Sequence, residues 1–163
     1  MSVYSYEHPL IGKVTYVIDH NPPLYGDTIS FIKGFEPSSQ LGFVHIPQLE
    51  GRDNADSDLF FHKKAHKQLL TVFTEIEKQG LLDIITQCNT AFKMRLKRPT
   101  SGYFSSLPSN HAFGLALDIN QNDGMDGISC APLAPVFQYY GFTWGKTFSM
   151  APDATHFEIK KFL

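Results

Sequence analysis

Two fragments toward the C-terminal end carry residue types from which a hydrolytic metal site can be built. They are Ser109-Asn-His111-Ala-Phe-Gly114-Leu-Ala-Leu-Asp118-Ile-Asn120 and Asp153-Ala-Thr-His156-Phe-Glu158. His111, Asp118 and His156 offer two imidazole nitrogens and a carboxylate. A mixed His/Asp/His set is typical of catalytic zinc, because three protein ligands leave one tetrahedral position open to water. Asp153, three residues before the last histidine, is a spare carboxylate able to take that water's proton. Residues and spacing together imply metal-assisted hydrolysis.

The elements must then bring these side chains together. On a straight strand, His111 and Asp118 would lie about 23 Å apart at roughly 3.3 Å per residue, and would point to opposite faces. Both reach one ion only if the chain turns between them, and Gly114 is the residue best suited to that turn. After it, residues 115–120 read as a short buried strand delivering Asp118. Residues 156–159 read as another strand, with His156 and Glu158 on one face and Phe157 and Ile159 on the other. Asp153 sits in the loop after Pro152.

Two other constellations compete. His62 and His66 are four apart on an expected helix, but the residues after His62 are Lys-Lys and no glutamate follows it, so a solvated helix face accounts for them. The stretch 118–124 resembles a calcium loop in outline. Its glycine falls one position late and the twelfth place holds no glutamate, so a turn-rich loop over 120–127 is the simpler reading.

The motif string as a whole resembles the VanY-like zinc peptidases, the D-alanyl-D-alanine carboxypeptidases and L-alanyl-D-glutamate endopeptidases that cut peptide stems of bacterial cell wall. The resemblance extends over roughly residues 60 to 161. It takes in Phe61-His-Lys-Lys-Ala65 with the helix after it, Ala91-Phe-Lys-Met-Arg95-Leu-Lys-Arg98, and Gly141-Phe-Thr-Trp144-Gly145. It implies an α+β fold of the hedgehog/VanY-like kind, a small antiparallel sheet with packed helices. It also implies Zn2+ held by His111, Asp118 and His156, with Asp153 as general base. Arg95 corresponds to the arginine that holds a substrate carboxylate or the developing oxyanion, and Arg98 competes for that role. Ser109 either positions substrate or caps the turn. Glu158 either orients a ligand or faces water, and Trp144 lies in the Trp-Gly stretch beside the site. Lys146 replaces a second glycine there, Ala154-Thr155 replaces the usual Gly-Met, and residues 100–107 form a lengthened cleft wall. Carboxypeptidase and endopeptidase members share these motifs, so the bond that is cut stays open.

Bulk properties fit one enzyme domain acting as a monomer. The chain has 163 residues, 42% hydrophobic and 18% charged, enough for a real core and neither disordered nor membrane-like in composition. A formal net charge of -2 gives no electrostatic case for nucleic acid. No apolar run approaches the roughly 20 residues of a membrane span, and the first eight residues lack the features of a secretory signal. A peptidoglycan stem peptide as substrate would then be reached after lysis or through a secretion machine. Cys88 and Cys130 lack Cys-x-x-Cys spacing and read as buried thiols.

The division expected is a β-rich segment over 1–60 and a catalytic domain over 61–163. The first segment shows strand patterns at 13–18, 28–32 and 41–46. It is either a small wall-binding module or, being short for an independent core, a packing layer on the catalytic domain. Helices are expected over 62–79, with Ala65, Leu69, Val72, Phe73 and Ile76 on one face, and over 133–140. A contrasting functional reading is a non-catalytic zinc-stabilised module that binds cell wall or a protein partner. The complete ligand set with a spare Asp153 weighs against it.

Overall fold

The computed structural model describes residues 2–98, 105–123 and 128–163. The expected cleft-wall stretch at 100–107 and the loop at 120–127 therefore fall partly outside the described residues. Eight strands are described. β1 (Val3–His8), β2 (Gly12–Ile18) and β3 (Ile29–Lys33) form an antiparallel sheet in that order. A single helical turn, α1 (Pro37–Gln40), leads into β4 (Leu41–His45), which pairs antiparallel with β5 (Asp58–His62). Helix α2 (His66–Lys78) follows. The third sheet, β6 (Ala116–Asp118), β7 (Phe142–Trp144) and β8 (His156–Ile159), has β8 in the centre, antiparallel to both neighbours. Helix α3 (Ala134–Tyr139) runs directly into β7.

The architecture is therefore mixed α and β with small antiparallel sheets, three among the described residues: two built from the β-rich N-terminal part up to His62 and one from the C-terminal part. Three strands were not expected from sequence. β1 alternates exposed and half-buried side chains until His8, with Tyr4 and Tyr6 packed against the core on the same face as His8. β5 runs up to the first residue of the expected 62–79 helix, sharing only His62 with it. Leu59 and Phe61 alternate into the core, which is strand periodicity, and His62 ends the strand by accepting the Lys64 N–H on Nδ1. The helix proper begins at His66 after one 3-10 turn. β7 is three residues long, too short for periodicity to register.

One hydrophobic cluster runs through the chain, from Val14, Tyr16 and Ile29 to Phe113, Phe137, Phe157 and Ile159. α2 buries Leu69, Val72, Phe73 and Ile76, a helical i, i+3, i+4, i+7 stripe. Phe137 stacks on Phe157 at 4.2 Å, which ties α3 to the central strand of the third sheet. Phe113 lies 5.1 Å from both Phe31 and Phe35 and 4.5 Å from the His8 ring, so the first sheet packs on the turn that carries His111. Cys88 and Cys130 are buried thiols. Among the described residues, no helix is long and apolar enough to cross a membrane.

Candidate metal centre

Three elements deliver the central side chains. His111 lies in a 3-10 turn, Asn110–Phe113, whose first free N–H is taken by the Ser109 hydroxyl at 3.2 Å. Gly114 ends that turn with φ of 63°, and a Cβ there would sit 2.9 Å from the His62 nitrogen, so the reversal requires glycine. The chain then enters β6, which ends on Asp118. β8 begins on His156, and the antiparallel register sets Asp118 directly opposite it. One ligand atom from each of His111, Asp118 and His156 lies within 4.8 Å of the others, and this is the only such cluster of three among the described residues.

The hydrogen bonds fix which nitrogens face inward. His111 Nδ1 lies 2.6 Å from the Ala91 carbonyl, so it must carry the proton and donate. Its Nε2 is left as a lone pair. That atom is buried, makes no hydrogen bond, and lies 3.3 Å from Asp118 Oδ2. His156 Nε2 donates to Glu158 Oε1 at 2.7 Å, leaving Nδ1 at 3.2 Å from Asp118 Oδ1. Two ring nitrogens thus converge on a carboxylate that has no proton to give them. A cation among them satisfies every group, and a neutral-nitrogen, carboxylate set with the other ring N–H bonded outward is what zinc favours.

Electrostatics agree. Burial alone would raise the Asp118 carboxyl, but the adjacent His111 and His156 rings prevail and hold it far below the usual carboxylate range. Burial alone would lower His156, but its hydrogen bonds to Asp118 and Glu158 raise it to about 9. Without metal, His156 keeps a proton where a cation would otherwise sit. Glu158 is held low by His156 against its own burial.

A cavity of about 570 Å³ opens on this cluster, lined among others by Arg95, Arg98, Ser109, Asp153 and Glu158. Asp153 Oδ1 accepts from the Thr155 N–H at 3.0 Å and from its hydroxyl at 2.7 Å. Oδ2 is the oxygen directed to Arg98, at 3.8 Å. Gly145 lets this loop close over β7, since a Cβ there would meet the Asp153 carbonyl at 2.2 Å. Arg95 and Arg98 both reach the cavity. Arg95 is half-buried and donates to the Leu96 carbonyl, and Arg98 pairs with Asp153. Trp144 donates from Nε1 to the Ala154 carbonyl at 2.8 Å and braces the loop, with Lys146 over its ring.

The rival histidines are not brought together as a site. His62 ends a strand, while His66 Nε2 lies within hydrogen-bond reach of the Gly42 and Phe61 carbonyls. In the calcium-like stretch, Asn120 points inward and pins residues 84–87 through its amide.

Residues 105–159 match the D-alanyl-D-alanine carboxypeptidase family model. The match spans roughly a third of the chain and contains all three residues of the cluster together with Asp153. It agrees with the VanY-like resemblance and supports a peptidase related to peptidoglycan, in a family typically dependent on metal. No curated protein and no solved structure matches the chain.

Several contributors carry little sequence signal. The Ala91 carbonyl, which sets the His111 tautomer, is a backbone group. Thr155 occupies a position read only as a departure from the family. Asn110 lies inside the motif but carries no ligand or acid–base chemistry of its own, and His8 is 102 residues away from it in sequence.

Proposed function

We propose that this protein is a zinc-dependent peptidase of VanY-like architecture that hydrolyses the peptide stems of bacterial peptidoglycan. The observation that carries the reading is the buried, unpartnered His111 Nε2 facing Asp118, in a cluster completed by His156. In this reading His111 binds through Nε2, His156 through Nδ1 and Asp118 through its carboxylate. Bound there, zinc supplies a Lewis acid that polarises the scissile carbonyl and lowers the pKa of a coordinated water.

The chain's own groups perform the remaining steps. Asp153 Oδ2, the oxygen not engaged by Thr155, takes the proton of the attacking water and returns it to the leaving amine. Arg95, desolvated at the cavity wall, holds a substrate carboxylate or the developing oxyanion with its planar fork of donors. Arg98, 3.8 Å from Asp153 Oδ2, keeps that carboxylate aligned between turnovers. Glu158 fixes the His156 ring, and Ser109 caps the turn that presents His111. The strands before residue 60 act as a packing layer beneath this site. The protein acts as a monomer on this wall substrate.

Mass spectrometry of purified muropeptides incubated with the zinc-loaded protein tests the assignment. Loss of one terminal alanine identifies a carboxypeptidase, and release of a longer peptide identifies an endopeptidase. An unchanged muropeptide profile with zinc bound would refute the proposed substrate and favour a binding module on the same scaffold.

A further inference from the structure

We propose that His8, on the first strand of the chain, is a positioning residue for the metal centre, acting through Asn110 and Glu158 to fix the ring of His156. The inference rests on the reading of His156 as a metal ligand. It assigns a role to a residue outside the region matched by the family model.

Every link in the chain has a determined direction. His8 Nδ1 accepts the backbone N–H of Leu10 at 3.0 Å and of Ile11 at 3.3 Å, so the ring proton must reside on Nε2. That Nε2 donates to Asn110 Oδ1 at 2.7 Å. With its oxygen so engaged, the Asn110 amide can present only its nitrogen on the other side, and Nδ2 donates to Glu158 Oε2 at 2.6 Å. Glu158 then has Oε1 for the His156 Nε2 proton at 2.7 Å. The outcome is that His156 Nδ1, not Nε2, is turned toward Asp118.

The first link is rigid. His8 is buried, with its ring against Phe113 at 4.5 Å and edge-on to Tyr6 at 5.7 Å. The turn after β1 therefore sets a proton position that three hydrogen bonds carry to the metal cluster. A histidine that merely filled the core would not need its free N–H aimed at the one amide bridging to a ligand's partner. Outer partners of metal ligands change metal affinity by about 10- to 100-fold when removed. His8, two hydrogen bonds further out than Glu158, belongs at the lower end.

The test uses the full chain, with zinc affinity measured by competition against a chromophoric chelator and ligand geometry by the visible spectrum of the cobalt-substituted protein. His8→Phe keeps the aromatic packing and removes the donor. It is expected to weaken zinc binding about tenfold and shift the cobalt bands. His8→Gln restores a donor and is expected to recover most of that loss. Adding His8→Phe to Asn110→Ala should cost nothing further, because both break one chain. A folded His8→Phe protein with wild-type zinc affinity and an unaltered cobalt spectrum would overturn the proposal. Nitrogen NMR of the wild-type histidines reads the same point without any variant. The proton on Nε2 of His8 is expected, and a proton on Nδ1 would overturn it. If the wild-type protein takes up neither metal, the centre itself is refuted and the relay's role with it. That failure is visible before any variant is made.

Discussion

His156 and His62 are both largely withdrawn from water, yet their surroundings drive them in opposite directions. Burial disfavours the charged ring in both. At His156 the Asp118 and Glu158 carboxylates reverse that and raise it to about 9. At His62 no carboxylate intervenes: desolvation, reinforced by Lys64, His66 and His8, pushes it down to about 4. His62 lies among rings, 6.3 Å from Phe35 and 5.2 Å from Phe162, and its buried Nε2 has no hydrogen-bond partner. Both positions hold an unsatisfied or charge-seeking nitrogen, but only one faces acceptors that a cation would share. Burial marks a histidine as structural or functional only once its neighbours are known.

The contrast is broken most completely at the metal centre. His156→Ala removes a proposed ligand and the shared partner of the Asp118 and Glu158 carboxylates. Zinc content is expected to fall to background and hydrolysis to disappear, as read by metal analysis and muropeptide turnover. Equivalent loss in His62→Gln would erase the distinction between the two histidines.

A second, smaller effect sharpens the other side. His62 is neutral when folded, with its pKa below the ordinary value of about 6.5, so the unfolded chain binds the extra proton first as pH falls. Its contribution is fully present above pH of about 6.5 and is lost progressively toward pH 4, by roughly 3 kcal/mol. Denaturant titrations of metal-free protein across this range should show that loss in the wild type and a flatter profile in His62→Gln. Parallel profiles would mean that His62 does not report burial in this way. The smallest effect is at the turn. Ser109→Ala removes the cap on the His111 N–H and is expected to cost about 1 kcal/mol in stability, with the peptide products unchanged. A changed product spectrum would instead make Ser109 a substrate contact.

The parts of the site written into contiguous sequence were legible. The string from Ser109 to Asn120 encodes its own cap, reversal and strand, and residues 156–159 alternate faces within one strand. What was illegible depends on partners distant in sequence. β5 carries Leu59-Phe-Phe61, a short apolar run that fits helix or strand until its pairing with β4 decides. β1 faces the core through Tyr4 and Tyr6, whose side chains stay half-buried, and its His8 becomes informative only when the fold brings Asn110 to it. The Ala91 carbonyl has no side-chain signature, although it determines which nitrogen of His111 faces the cluster. Strand boundaries for 12–18 and 156–159 followed their β-branched and aromatic pattern closely. The helix start moved four residues because the 3-10 turn before it shares the helix's composition.

The central claim separates metal binding from proton transfer. In the proposed mechanism His111, Asp118 and His156 would hold the ion, while Asp153 would work beside it without ligating it. The measurement that tests this most directly is zinc stoichiometry and muropeptide turnover on the same preparation of Asp153→Ala. The account predicts wild-type zinc content with hydrolysis lost. Wild-type turnover by Asp153→Ala, or loss of zinc along with activity, would contradict it.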